Sequence, residues 1–129
     1  MTQPFRVLVV EDEPVIRELV QSLLVDEGCI VDCAVTGAEG LKLAKTERYQ
    51  LILLDVVMPG LDGVTVCRLI RADPNNAKVS IYMLTGKGKK SDVEVAMIAG
   101  ANGYIHKPFR GSELLDLVSK LKASEKVLD

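Results

Sequence analysis

The segment "LILLDVVMPG", residues 51–60, places four aliphatic residues directly before a carboxylate, Asp55. A short apolar run of this kind predicts a β-strand that is covered on both faces, as in a parallel sheet. The strand ends on a charged group, and Met58-Pro59-Gly60 then predicts a turn. Taken alone, such a carboxylate is an ordinary turn or helix-cap residue, so its neighbours in the fold decide whether it has a chemical role.

Apolar strand patterns alternate with helical patterns along all 129 residues. The predicted strands are residues 5–10, 29–35, 51–55, 79–85 and 103–107, and the predicted helices begin at Pro14, Gly37, Gly63, Ser91 and Ser112. Strict alternation predicts an α/β fold in which right-handed crossovers build a five-stranded parallel sheet with helices on both sides. We expect one domain over residues 1–123 and a C-terminal tail, or the start of a linker, over residues 124–129.

Further expectations concern side chains of these elements. In helix one, six apolar residues recur at helical spacing and predict one inward face; they are Val15, Ile16, Leu19, Val20, Leu23 and Leu24. Asp62 is interpreted as a turn or cap residue, Asp32 as an exposed residue of an edge strand, and His106 as a surface residue of strand five.

Composition limits the classes of partner. The net charge of −2 provides no basic field for direct binding of nucleic acid or anionic lipid, and the "KGKK" run at residues 87–90 is interpreted as a solvated loop. The N-terminus has no long apolar segment after a basic start, so neither a signal peptide nor a membrane span is predicted. We therefore expect a cytoplasmic location, where the three cysteines, an odd number, are expected to be reduced thiols.

Polar residues follow four of the five predicted strands. They are Glu11 and Asp12 after strand one, Asp55 at the end of strand three, Thr85 at the end of strand four and Lys107 at the end of strand five. Ligands of open parallel sheets bind outside the carboxyl ends of the strands, so these side chains are expected to share one edge.

Three carboxylates at one edge would raise one another's pKa values unless a cation lay among them. Mg²⁺ suits such a partly built oxygen site, since it usually takes one or two carboxylates together with waters and phosphate oxygens. A carboxylate beside a metal can attack phosphorus, which makes Asp55 the predicted nucleophile. Thr85 and Lys107 would then contact the transferred phosphoryl group, whose negative charge is spread over its oxygens.

Taken together, Glu11-Asp12, Asp55 followed by "MPG", Thr85 and "KPF" at 107–109 resemble the response-regulator receiver domain of two-component signalling, of the chemotaxis-regulator type. The resemblance covers nearly the whole chain. It implies a flavodoxin-like fold with strand order 2-1-3-4-5. It also implies that Asp55 accepts a phosphoryl group from a sensor histidine kinase or a phosphotransfer protein.

The same resemblance implies a set of metal ligands. Mg²⁺, for which Mn²⁺ could substitute, would be held by Asp12, Asp55 and the backbone carbonyl of Val57, with Glu11 acting through a metal-bound water. Family members often carry Asp at the position of Glu11, so the affinity or geometry of the metal site is expected to differ slightly.

The resemblance also implies a switch. Contact with the phosphoryl group would draw Thr85 inward, Tyr104 would turn from exposed to buried, and the peptide bond before Pro108 would be cis. The surface of helix four, strand five and helix five would then bind an output target, either a fused domain or a second copy of the chain. Such a protein is a phosphoacceptor that assists its own phosphorylation and dephosphorylation, and it is not expected to turn over other substrates.

Three alternatives remain open from the sequence. A degenerate receiver would act only as a protein-interaction module, although it would be expected to lack Asp55, Thr85 or Lys107. An aspartyl phosphatase would need a second acid two residues after the nucleophile, where this chain has Val57. A flavodoxin-type electron carrier would need a hydroxyl-rich phosphate loop after strand one, where this chain is acidic.

Overall fold

The computed structural model describes residues 4–86 and 90–128, with side chains over 4–86 and 93–124. Its strands are β1 Arg6–Val10, β2 Ile30–Ala34, β3 Leu51–Asp55, β4 Ser80–Thr85 and β5 Gly103–His106. Its helices are α1 Pro14–Asp26, α2 Gly37–Thr46, α3 Gly63–Ala72, α4 Lys90–Ile98 and α5 Gly111–Leu128, with a 3₁₀ turn at Pro74–Asn76. The predicted "KGKK" loop lies outside the residues whose side chains are described.

The five strands form one parallel sheet with the order β2-β1-β3-β4-β5, which confirms the predicted topology. β3 is the central strand, and all five of its residues are buried. Because the chain enters every strand from the same side, the carboxyl ends of β1, β3, β4 and β5 meet at one edge. This shared edge brings together side chains that are up to 96 positions apart in sequence.

Successive strand residues pack on opposite faces of the sheet, although nearly all of them are apolar. Leu8, Ile52 and Met83 pack with residues of α2, α3 and α4 on one face. Val9, Leu53 and Leu84 pack with residues of α1 and α5 on the other face. The sheet therefore has a hydrophobic core on both sides, as continuous apolar strands predict.

The buried face of α1 is narrower than the apolar pattern of its sequence predicts. Val20 and Leu24 are buried, and Ile16 and Leu23 pack against the same core. Val15 and Leu19 are instead 78% and 49% exposed. The six apolar positions span about half of the helix circumference, and only the part around Val20 faces the sheet.

The structure also bears on the expectations for Asp32 and for the C-terminal tail. Asp32 is partly buried rather than freely exposed, because its carboxylate accepts hydrogen bonds from the Tyr49 hydroxyl at 2.7 Å and from Arg6 at 3.3 Å. α5 continues as a helix to Leu128, within the segment assigned to a tail, while the domain boundary after residue 123 stays a prediction. Among the described residues, no helix has the length and apolar character needed to cross a membrane.

The loop after β3 is built closely around Asp55. Gly60 has a positive φ of 79°, which turns the chain back toward the sheet and which glycine adopts without strain. Asp62 caps α3 by accepting a hydrogen bond from the Thr65 N–H at 2.8 Å, as predicted for a cap residue. A Cβ atom at Gly63 would overlap the backbone carbonyl of Asp55 and meet Met83. The first turn of α3 therefore rests directly on the backbone of Asp55.

We expect Gly63→Ala to lower the free energy of unfolding by about 1 to 3 kcal/mol, because the added methyl group can be accommodated only if the backbone shifts. Chemical denaturation of wild type and variant measures this difference. Gly86→Ala is the matched control, since a Cβ atom there meets no atom of the described residues within 4 Å. Equal stability of the two variants would contradict the close approach of α3 to Asp55.

Candidate functional site

The acidic segment after β1 is held by backbone contacts on two sides. The N–H of Glu11 donates to the carbonyl of Ala34 at 3.0 Å, so the chain is still paired with β2 at this residue. Arg17, from the first turn of α1, donates to the carbonyls of Glu11 at 3.0 Å and Asp12 at 3.4 Å. The side chain of Glu11 is consequently directed into the protein and is fully buried.

Asp55 is almost completely buried at the end of β3, with 4% of its surface exposed. The N–H of Val57 donates to its Oδ1 at 3.2 Å, and the N–H of Val56 donates to the Leu84 carbonyl at 3.1 Å. Both contacts fix the backbone that carries the carboxylate. Asp55 is thus a rigidly held acid at the centre of the strand-end edge.

Lys107 connects the two buried acids. Its Nζ donates to Glu11 Oε1 at 2.8 Å and lies 3.4 Å from Asp55 Oδ2. The Lys107 N–H donates to the carbonyl of Thr85 at 2.6 Å, which ties this residue to the end of β4. The peptide bond between Lys107 and Pro108 is cis, which confirms that expectation.

The predicted metal-binding acids also lie together. One carboxylate oxygen from each of Glu11, Asp12 and Asp55 can be chosen so that all three lie within 4.8 Å of one another. Burial raises the pKa of Glu11 to about 7; the neighbouring Asp55 charge adds to the increase, and Lys107 opposes it. Burial also raises the pKa of Asp55, against the opposing effect of Lys107. The single positive charge of Lys107 therefore does not balance the negative charges of the three carboxylates.

The pKa of Lys107 is also raised, which for an amine favours the charged form. Burial alone would lower its pKa, but the hydrogen bond to Glu11 and the charge of Asp55 outweigh burial, and the pKa is raised. Lys107 consequently stays protonated at neutral pH, and the site keeps one cation beside three acids.

One buried oxygen of this cluster has no partner. Glu11 Oε2 is inaccessible to solvent and makes no hydrogen bond with any described residue. An unpaired buried carboxylate oxygen is costly, and a cation close by would relieve that cost. The donors are all hard oxygens, which fit Mg²⁺ or Mn²⁺ better than a softer metal. The backbone carbonyl of Val57 as a further ligand stays a prediction.

Thr85 and Tyr104 share one neighbour, His106, which was not predicted from the sequence to be a site residue. Thr85 is buried, and its Oγ1 lies 2.9 Å from Nδ1 of His106. Tyr104 is 44% exposed, and its ring meets the His106 ring edge-on, with the centroids 4.8 Å apart. His106 is exposed as predicted, but its hydrogen bond was missed. The parallel register pairs Thr85 with His106, and that pairing is the signal that could have revealed the contact.

A family model for the response regulator receiver domain matches residues 7–119. The chain belongs to the response-regulator receiver domain family. It is 40% identical over 115 residues to the transcriptional regulatory protein CseB of Streptomyces coelicolor, a match that covers 89% of this chain and 48% of CseB. The chain therefore spans about half the length of the curated relatives it matches.

Solved receiver structures have the same fold. The chemotaxis protein CheY4 of Vibrio cholerae superimposes with a TM-score of 0.88 at 30% identity, covering 92% of this chain and 99% of CheY4. The receiver domain of a Pseudomonas aeruginosa sensor histidine kinase superimposes with a TM-score of 0.85 at 34% identity, covering 92% and 98% of the two chains. That structure has a magnesium ion coordinated in its active-site cleft. Receiver domains are phosphorylation-activated switches, so family membership argues against the electron-carrier and phosphatase alternatives.

We expect the effect of Mg²⁺ on thermal stability to depend strongly on pH. In the metal-free protein, the Glu11 pKa of about 7 exceeds its ordinary value of 4.5, so between these values the folded state binds more protons than the unfolded state. The free energy of unfolding therefore receives a contribution that falls as pH rises through this range. Mg²⁺ requires the ionised acids, so at a concentration of about 100 times Kd it should raise Tm by ~10 °C at pH 8 and by little at pH 5.

The melting curves should be recorded with and without Mg²⁺ at each pH, with Na⁺ at matched ionic strength as the control for charge screening. An equal increase in Tm at pH 5 and pH 8, or no increase at either, would contradict a cation site formed by these carboxylates.

Proposed function

We propose that this receiver domain is the phosphorylation-activated switch of a two-component system, in which Asp55 accepts the phosphoryl group. The donor would be a sensor histidine kinase or a phosphotransfer protein in the cytoplasm. The observation that carries the proposal is the position of Asp55, a buried carboxylate at the end of the central strand and beside the ammonium of Lys107. Asp55, Thr85 and Lys107 are all present, and no observation supports the degenerate alternative.

The transfer requires little covalent chemistry from the protein. An oxygen of the Asp55 carboxylate forms the new bond to phosphorus, the bond from phosphorus to the donor's imidazole nitrogen breaks, and that nitrogen keeps the electron pair. The backbone N–H of Val57 holds Asp55 Oδ1, which orients the carboxylate for attack. The position of the acid is set before the donor arrives.

Lys107 is proposed to move its hydrogen bond from the carboxylates to a phosphoryl oxygen. Its Nζ is already 3.4 Å from Asp55, so a small displacement would bring it to a group bonded to that residue. A charge-assisted hydrogen bond of this kind contributes about 1.5 to 3 kcal/mol. Lys107 would therefore stabilise both the transition state and the phosphorylated product.

The acid cluster is proposed to hold Mg²⁺, or Mn²⁺ in its place. Its ligands would be Asp12, Asp55 and the carbonyl of Val57, with Glu11 contributing through a water. When bound, the metal ion would neutralise the excess of carboxylates and offset the charge of the phosphoryl group. The support for this assignment is the clustering of the three acids and the unpaired oxygen of Glu11.

The same residues would assist loss of the phosphoryl group to water, so the domain catalyses its own phosphorylation and dephosphorylation without turning over other substrates. Switching from 1% to 99% active requires ~5.5 kcal/mol of differential stabilisation. Two or three charge-assisted hydrogen bonds to the phosphoryl group, from Thr85, Lys107 and neighbouring groups, would be of sufficient size.

The output surface is proposed to be the face of α4, β5 and α5. Two of its apolar residues are exposed: Ile98 of α4 at 84% and Tyr104 of β5 at 44%. The target would be a fused domain or a second copy of the chain. With a net charge of −2, this domain is not expected to contact DNA or a membrane by itself.

Asp55→Asn should abolish phosphorylation, because the neutral amide lacks the anionic carboxylate oxygen that attacks phosphorus. Each protein is incubated with Mg²⁺ and a small acyl phosphate, and intact mass is measured over time. Wild type should gain the mass of one phosphoryl group, and the Asp55→Asn rate should be at least ~100-fold lower.

Asp62→Asn is the matched control, since it makes the same substitution at a surface cap that asparagine also satisfies. It should react at the wild-type rate. If Asp55→Asn gains the same phosphoryl mass at the wild-type rate, Asp55 is not the acceptor.

A further inference from the structure

The imidazole of His106 contacts both of the residues that the proposed switch moves. Its Nδ1 is 2.9 Å from Thr85 Oγ1, and its ring lies edge-on to the ring of Tyr104. Thr85 and His106 are paired in the register of β4 and β5, so the sheet itself holds the two side chains opposite each other. One exposed ring thus connects a buried hydroxyl to a half-exposed aromatic residue.

We propose that His106 is a positioning residue that stabilises the unphosphorylated arrangement of the domain by holding the Thr85 hydroxyl away from the phosphoryl site. This inference rests on the proposed function, since it concerns the same acceptor and the same switch. It adds a residue that neither sequence reasoning nor membership of the family assigns to the site.

When Nδ1 of His106 is the acceptor, the hydrogen bond to His106 and a hydrogen bond from Thr85 to the phosphoryl group exclude each other. A hydroxyl has one proton, so a Thr85 that donates to Nδ1 cannot donate to a phosphoryl oxygen. If Nδ1 carries the proton instead, Oγ1 accepts it and the hydroxyl proton stays free, so the two hydrogen bonds are then compatible. The proposal therefore requires the tautomer with the proton on Nε2, in which activation must break the contact with His106, and a spectrum that shows the proton on Nδ1 would overturn it.

Breaking this contact also releases Tyr104. The edge-on packing between the two rings favours the outward position of Tyr104 while the imidazole is held by Thr85. When Thr85 leaves, the imidazole is no longer anchored, and the outward position loses its support. His106 therefore couples the movement of the hydroxyl to the movement of the aromatic ring.

His106 can serve this purpose at little cost to folding. Its side chain is exposed, whereas its neighbour Ile105 supplies the buried contact of β5 with the core. Substitution of His106 should consequently change the balance between the two arrangements more than it changes global stability. This separation makes the proposal testable with folded variants.

The hydrogen bond can be observed directly in the resting protein, because His106 is the only histidine of the chain. Two-bond ¹H–¹⁵N spectra resolve Nδ1 and Nε2 of a single imidazole. Thr85→Val removes the hydroxyl and keeps the shape of the side chain, so the Nδ1 resonance should shift while Nε2 changes little. An unchanged Nδ1 resonance would overturn the proposal.

Two substitutions separate the ring contact from the hydrogen bond. His106→Phe keeps an aromatic ring beside Tyr104 and removes the hydrogen bond, whereas His106→Asn keeps a polar atom near the position of Nδ1 and removes the ring. The readout is the apparent Kd for beryllofluoride, an analogue of the phosphoryl group, measured with saturating Mg²⁺. Thermal unfolding of each variant checks that the fold is retained.

Loss of one partly buried hydrogen bond should tighten the apparent Kd of His106→Phe by about two- to tenfold, because less free energy is needed to reach the active arrangement. His106→Asn should stay within about twofold of wild type. In a Thr85→Val background, His106→Phe should have no further effect, since the partner of the hydrogen bond is already gone.

Each contrary outcome is informative. An unchanged or weaker Kd for His106→Phe, or an equal tightening in His106→Asn, would overturn the positioning role while leaving the proposed function intact. Wild type should bind the analogue and Asp55→Asn should not. Failure of wild type to bind would instead reject the proposed function, and the role of His106 with it.

Discussion

The site depends on the ion pairs that the Lys107 ammonium makes with Glu11 and Asp55. The ammonium lies between these two acids in a nearly water-free position and compensates only part of their charge. Burial therefore still raises the pKa values of both acids, and Glu11 Oε2 has no hydrogen-bond partner among the described residues. A site with this imbalance would gain stability from an added cation, and in the proposed function Lys107 would move a hydrogen bond to an incoming phosphoryl group.

The same edge of the sheet connects this chemistry to the surface. Lys107 is bonded through its backbone to Thr85, and Thr85 is bonded through its side chain to His106. If Asp55 is the phosphoacceptor, as proposed, these contacts within two adjacent strands would connect a change there to Tyr104 on β5.

Much of the architecture could be predicted because it depends on local patterns. A strand such as residues 51–55 is apolar throughout only if both faces are covered, and that condition leads directly to a parallel sheet with helices on each side. The acids and Lys107 could be predicted as one site since parallel strands bring their carboxyl ends together. The exposed positions of Val15 and Leu19 could not, because helical spacing defines an apolar arc but not which part of that arc meets the sheet.

By itself, the sequence determined the fold class, the strand order implied by family resemblance, and the residues that meet at the strand ends. Only the tertiary structure decided which atoms pair: Lys107 with Glu11 and Asp55, Tyr49 with Asp32, and His106 with Thr85. The physical reason is one of distance. Apolar periodicity specifies what is buried, whereas a hydrogen bond depends on positions within a few tenths of an ångström, which strand register and side-chain rotamers set together.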